Sequence, residues 1–107
     1  MKARVVIGPQ VRWFIASMAP EPRRKVWRAV KGLSEGKGDI KQLEGNLAPF
    51  RRLRVNNVRI VFDQKIQDGQ RIVLCFFADY RATVYFVLEQ LLASELLEEL
   101  RNQTRTS

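Results

Sequence analysis

Residues 50–62 read Phe50-Arg51-Arg52-Leu53-Arg54-Val55-Asn56-Asn57-Val58-Arg59-Ile60-Val61-Phe62. Asparagine tolerates the positive φ angles that a two-residue hairpin loop requires, so this pattern predicts a β-hairpin that turns at Asn56-Asn57. The resulting register pairs Arg54 with Arg59. Because side chains alternate along a strand, Arg52 shares the face of these two arginines, and the apolar residues occupy the opposite face.

The basic face of this hairpin predicts a polyanionic ligand. Like charges directly opposite one another on paired strands destabilise a hairpin, so folding alone gives no reason to place Arg54 across from Arg59. A phosphate bound by both guanidinium groups would reverse the sign of that interaction. The alternative is an ordinary solvated strand face that happens to be basic.

The composition predicts one basic domain that spans residues 1–107. The chain has 107 residues, of which 46% are hydrophobic, and its formal net charge is +8. A chain of this length buries roughly 65% of its unfolded surface, which is enough for a core. The positive charge favours nucleic acid, the ribosome or an acidic protein as the partner, ahead of a membrane.

Several classes of chemistry are excluded by what the sequence lacks. It has no histidine, which removes His-based acid–base catalysis, Cys/His nucleophile pairs and most zinc sites. The carboxylates are too scattered to indicate a metal site, and there is no Gly-rich phosphate loop, so neither a metal nor a cofactor is predicted. The lone Cys75 lies in an apolar run and is expected to be an inert core residue. A single cysteine cannot form an intramolecular disulfide, which agrees with a reducing compartment such as the cytoplasm. Pro9 and Arg12 interrupt the early apolar stretch too soon for a signal peptide.

The first half of the chain predicts one short strand followed by two helices. Residues 3–7 read as a β-rich strand, and apolar residues at helical spacing predict a helix from Pro9 to Met18. A second amphipathic helix is predicted over residues 23–35, after the break at Pro20-Glu21-Pro22. The two helices would pack as a hairpin on one face of a sheet. Residues 36–39 are predicted to form a loop.

The second half predicts the rest of the sheet and a final helix. Asp68-Gly69 is a turn signal that joins the second hairpin strand to a strand over residues 71–78, which is apolar on both faces and therefore central. A last strand is predicted over residues 83–87, and an amphipathic helix follows from Leu88. The fold class is α+β, with two N-terminal helices packed on a small twisted antiparallel sheet and a C-terminal helix.

The segment Arg81-Ala82-Thr83-Val84-Tyr85 predicts a second element of the site. On a strand, Arg81, Thr83 and Tyr85 would share one face, with about 7 Å between successive members of the set. The arginine could neutralise charge on a phosphorane, and the tyrosine could donate a proton, accept a hydrogen bond or stack on a base. The alternative is a tyrosine ring that packs on an arginine stem. Trp13 and Trp27, which lie on helical stripes, are predicted to be core residues.

Together these segments resemble the RelE/ParE superfamily of bacterial type II toxins. The resemblance spans essentially the whole chain in order and rests on Leu43-Glu44-Gly45, Phe50-Arg51-Arg52-Leu53-Arg54-Val55, Val58-Arg59-Ile60-Val61-Phe62 and Tyr80-Arg81-Ala82-Thr83-Val84-Tyr85. It implies a small antiparallel sheet that carries two N-terminal helices on one face, in agreement with the order of elements predicted above.

The resemblance also implies a function. RelE-like members enter the ribosomal A site and cut mRNA, without metal, by driving the 2′-hydroxyl of the substrate onto the adjacent phosphate. A cognate antitoxin wraps them and keeps them silent. For this branch the implied catalytic residues are Arg52, Arg54, Arg59, Arg81 and Tyr85.

The prediction is therefore a cytoplasmic mRNA endonuclease that contacts 16S rRNA and assembles as a homodimer or a toxin–antitoxin hetero-oligomer. Two alternatives stay open. One is a ParE-like inhibitor that binds DNA gyrase without catalysis, because ParE-like members share the fold. The other is a basic RNA-binding module that has no antitoxin.

Overall fold

The computed structural model describes residues 2–105, which form a five-stranded sheet with helices on both faces. The strands are β1 (Arg4–Ile7), β2 (Asp39–Gln42), β3 (Arg51–Val55), β4 (Val58–Gln67) and β5 (Gln70–Tyr80). The helices are α1 (Pro9–Ala16), α2 (Pro20–Gly32), α3 (Val84–Ala93) and α4 (Leu96–Arg105). None of the helices in this part of the chain is long and apolar enough to cross a membrane.

Two tight turns build the centre of the sheet, and the structure confirms both predictions. Asn56 has a φ of 55° between β3 and β4, and Arg54 pairs with Arg59 as expected. Between β4 and β5, Asp68 and Gly69 have φ angles of 53° and 77°. Asparagine, aspartate and glycine are the residues that reach this left-handed region at least cost. Local turn chemistry therefore fixes the register of three consecutive strands.

The sheet is mixed, which corrects the prediction of a wholly antiparallel sheet. Its strand order is β1-β5-β4-β3-β2, and β1 pairs with β5 in parallel from Arg4↔Ile72 to Ile7↔Cys75. A parallel pair needs a long connection, and the segment between β1 and β5 contains both N-terminal helices and three strands. The other edge is β2, which pairs with β3 and was not predicted as a strand, since the predicted loop ended at Asp39. Four residues with two charges carry little strand signal, so the pairing with β3 decides their conformation.

The predicted last strand over residues 83–87 is absent, and α3 begins there instead. After β5 the chain turns, since the Thr83 N–H donates to the Tyr80 carbonyl at 3.1 Å. Thr83 and Val84 are β-branched, which favours a strand locally. However, Val84 and Leu88 are both fully buried, and a spacing of four places them on one helical face. The predicted C-terminal helix is also divided into α3 and α4 at Glu95, whose φ is 64°.

The sheet has a hydrophobic cluster on each face. The α1–α2 hairpin packs on one face, as predicted, over Leu53, Ile60 and Phe62. α2 begins at Pro20, three residues before its predicted start, because the fixed φ of proline suits the first helical turn. The opposite face carries α3 and α4, which cover a second cluster that includes Phe76.

A β-bulge shapes this second cluster. Val61 pairs with Phe77 but Phe62 pairs with Cys75, so Phe76 is the extra residue on β5. A bulge breaks the alternation of side chains, and both Phe76 and Phe77 consequently belong to the cluster under α3 and α4.

The two tryptophans differ in how deeply they are buried. Trp27 is half-buried and packs against the cluster under α2. Trp13 is 69% exposed, so its prediction as a core residue was wrong. The buried residues of α1 are Val11, Phe14 and Ile15. Trp13 lies two positions from both Val11 and Ile15, which is about 200° around the helix, and therefore points to the other side.

We expect Cys75 to be unreactive in the folded protein. The thiol is fully buried, and burial raises its pKa to about 12. At pH 8 the reactive thiolate is then about one molecule in 10⁴. Ellman's reagent should leave the native protein unmodified and should titrate one thiol after unfolding in guanidinium chloride. Rapid labelling of the native protein at pH 8 would contradict this burial.

Candidate functional site

An open groove lies between β2, β3 and α3. It is beside the β3–β4 hairpin that carries Arg52, Arg54 and Arg59, called the arginine hairpin from here on. Its volume is about 440 Å³. The lining side chains come from β2 and the loop after it, from β3 and β4, and from the turn and helix after β5: Lys41, Gln42, Leu43, Glu44, Leu47, Arg52, Arg59, Arg81, Tyr85 and Glu89. Four of the five predicted site residues are therefore brought together, and Arg54 is the one that does not line the groove.

Arg59 is the most deeply placed cation of the groove. It is only 6% exposed, and its Nη1 donates to the carbonyl oxygens of Asn56 at 2.8 Å and of Val58 at 3.1 Å. Within residues 2–105, no carboxylate approaches it closely enough for an ion pair. Burial of a guanidinium without a counter-ion is unfavourable, and an anion in the groove would compensate it. The hairpin turn thus holds a positive charge ready for a ligand.

Arg52 and Arg54 share one carboxylate, that of Asp39 on β2. Arg52 Nη1 lies 3.1 Å from Asp39 Oδ1 and donates to the Asp39 carbonyl at 2.8 Å. Arg54 Nε lies 3.2 Å from Oδ2 of the same residue. The Arg52 side chain is 12% exposed and lines the groove, whereas the Arg54 side chain is 55% exposed and lies outside it. The ion pairs with Asp39 on β2 therefore hold the Arg52 side chain in the groove and the Arg54 side chain outside it.

Arg81 and Tyr85 reach the groove from the turn after β5 and from α3. Their predicted common strand face was wrong, since Arg81 lies in the turn and Tyr85 in the first turn of the helix. The Arg81 backbone N–H donates to the Asn57 carbonyl at 2.7 Å, which ties this turn to the arginine hairpin. The Arg81 guanidinium is exposed and makes no hydrogen bond or ion pair with the described residues. Tyr85 is half-buried and packs beside the cluster under α3.

The fold is similar to that of a solved structure, although the sequence alone matches little. No protein-family model matches this sequence, and no curated protein matches it. Its structure is similar to the crystal structure of the RelBE2 toxin–antitoxin complex from Mycobacterium tuberculosis, with a TM-score of 0.63 at 23% sequence identity. The match covers 76% of this chain and 100% of that chain. The chain has a RelE-like fold.

Three charged residues that line the groove were missed by the sequence prediction. Lys41 lies on β2, directly opposite Arg52, in a segment for which no strand was predicted. Glu44 precedes the short 3₁₀ turn at Gly45–Leu47, and Glu89 lies on α3. The available signal was the spacing of Tyr85 and Glu89, which face the same side once the helix begins at Val84. The groove thus contains four cations and two carboxylates.

We expect the pKa of Asp39 to lie below its ordinary value of 3.8. The hydrogen bond from Arg52 is the main cause, and the charges of Arg52, Arg54 and Arg59 act in the same direction against desolvation. Since the folded pKa is depressed, this contribution to stability is present above the unfolded pKa and is lost as the pH falls through the folded value. NMR titration should show the Asp39 pKa rising in Arg52→Ala. An unchanged pKa in that variant would contradict the pairing.

Proposed function

We propose that this protein is the toxin of a type II toxin–antitoxin system and that it cuts mRNA on the ribosome. The observation that carries this proposal is the convergence of Arg52, Arg59, Arg81 and Tyr85 on one groove. The fold supports it as well, since the similar solved structure is a toxin–antitoxin complex. A cognate antitoxin is accordingly the proposed protein partner.

The groove suits a reaction at an RNA phosphodiester. Attack by the 2′-hydroxyl on the adjacent phosphorus creates a pentacoordinate phosphorane with more negative charge than the ground state. Guanidinium groups that are already in place stabilise that charge without reorganisation, which is the main source of electrostatic catalysis. Arg59 is held by two carbonyl oxygens, and Arg81 is free to close on the phosphate. The requirement for a 2′-hydroxyl makes RNA the substrate.

The ribosome supplies a large polyanionic surface for the remaining positive charge. α2 carries five basic residues, Arg23, Arg24, Lys25, Arg28 and Lys31, and none of them forms an ion pair within the described part of the chain. α2 packs on the face of the sheet opposite α3. Contacts between α2 and 16S rRNA would therefore leave the groove open toward the message.

Controlled expression in bacterial cells tests the proposal. Induction should arrest growth, and primer extension should show message cut within translated reading frames. Arg81→Ala and Tyr85→Phe should relieve the arrest and leave the message intact. Growth arrest with DNA-damage signalling and intact message would contradict the proposal and indicate a gyrase inhibitor. Full toxicity in both variants would show that the groove is not the active site.

A further inference from the structure

The proposed cleavage needs a group that accepts the proton of the 2′-hydroxyl, and the inference below rests on that proposed function. Arginine stays protonated in proteins, and lysine and tyrosine have ordinary pKa values of about 10.4 and 10. None of these side chains is a ready proton acceptor at neutral pH. A glutamate, with an ordinary pKa of about 4.3, is ionised and can accept a proton. Among the residues that line the groove, Glu44 and Glu89 are the carboxylates.

The positions of these two carboxylates favour Glu89. It lies on α3 four residues after Tyr85, a spacing that places their Cβ atoms about 5–6 Å apart on one helical face. It is half-buried, and its carboxylate makes no hydrogen bond or ion pair with residues 2–105. Glu44 is exposed in a loop. A side chain on a helix is positioned more exactly than one on a loop, as proton transfer requires.

We propose that Glu89 is the general base of the cleavage and that Tyr85 is the general acid. The Glu89 carboxylate takes the 2′-hydroxyl proton as the 2′-oxygen forms a bond to the adjacent phosphorus. The bond between phosphorus and the 5′-oxygen breaks, and the Tyr85 hydroxyl gives its proton to that oxygen. The products are a 2′,3′-cyclic phosphate and a 5′-hydroxyl. Proton exchange with solvent then restores both side chains.

The test uses the purified full chain and ribosomes programmed with a defined message under single-turnover conditions. Glu89→Gln should lower the cleavage rate by about 100-fold or more, the usual contribution of a general base. Glu99→Gln, which alters an exposed glutamate on α4, is the matched control and should cleave at the wild-type rate. Circular dichroism and thermal unfolding should show that both variants are folded.

A second substrate distinguishes the proposed role of Glu89 as general base from that of Tyr85 as general acid. A message with sulfur in place of the bridging 5′-oxygen has a leaving group that needs no proton, because thiols have an ordinary pKa of about 8.5. This substrate should restore cleavage by Tyr85→Phe but should not restore cleavage by Glu89→Gln.

Several results would overturn the assignment. Wild-type cleavage by a folded Glu89→Gln would remove Glu89 from the mechanism while leaving the ribonuclease function intact. Rescue of Glu89→Gln by the sulfur substrate would place its action at the leaving group. A loss in Glu44→Gln but not in Glu89→Gln would transfer the base to Glu44. If the wild-type protein cleaves neither substrate, the proposed function itself fails.

Discussion

Arg59→Ala should lower the rate of message cleavage on programmed ribosomes by about 10²–10³-fold, the effect of removing one preorganised donor to a developing anion. The reason is the placement of this guanidinium, which is 6% exposed, is held by the carbonyl oxygens of Asn56 and Val58, and lines the groove. No other groove cation is both buried and without a carboxylate partner in the described part of the chain. Single-turnover rates measured with saturating protein report the chemical step.

Two further variants test whether the effect of Arg59→Ala is specific to this guanidinium group. Arg4→Ala removes an exposed arginine from β1, at the opposite edge of the sheet, and should cleave at the wild-type rate. Arg59→Lys keeps the charge but loses the planar fork, so it should recover only part of the lost rate. Thermal unfolding of each variant shows whether the fold survives. A folded Arg59→Ala protein that cleaves like the wild type would contradict the site.

Phe76→Ala should lower the free energy of unfolding by about 3–5 kcal/mol, the usual cost of truncating a buried aromatic side chain. Phe76 is fully buried at the β-bulge, and its ring centroid lies 5.1 Å from that of Phe50 in an edge-to-face arrangement. The cluster that contains it joins the sheet to α3 and α4. Urea unfolding followed by circular dichroism measures the change.

Phe86→Ala is the matched control for Phe76→Ala. Phe86 lies on α3 and is 69% exposed, so its truncation should change the free energy of unfolding by no more than about 0.5 kcal/mol. Equal destabilisation by the two substitutions would show that α3 does not pack on the sheet as described.

Much of the fold could be predicted because its strongest signals are local. The turns at Asn56-Asn57 and Asp68-Gly69 contain residues suited to positive φ, and the alternation of side chains then fixes the faces of β3 and β4. The last predicted strand failed for a non-local reason. Val84 has a β-branched side chain, but its burial together with Leu88 on the inner face of α3 outweighs that preference.

The site was less predictable than the fold, because it depends on how separate elements meet. Alternation predicted that Arg52, Arg54 and Arg59 share a face, and nothing in the hairpin distinguishes Arg54 from the other two. Asp39 makes that distinction, and it does so only because β2 pairs with β3 at the edge of the sheet. Glu89 was missed because the helix was predicted to begin at Leu88, after Tyr85.

In the proposed reaction, this groove directs a 2′-hydroxyl onto the adjacent phosphate of a message held by the ribosome. The most direct measurement compares two messages on programmed ribosomes, one made wholly of RNA and one with a single 2′-deoxynucleotide on the 5′ side of the cleaved linkage. We expect the first to be cut in the A site to a 2′,3′-cyclic phosphate and the second to stay intact. Equal cutting of both messages, or of neither, would contradict the proposed mechanism.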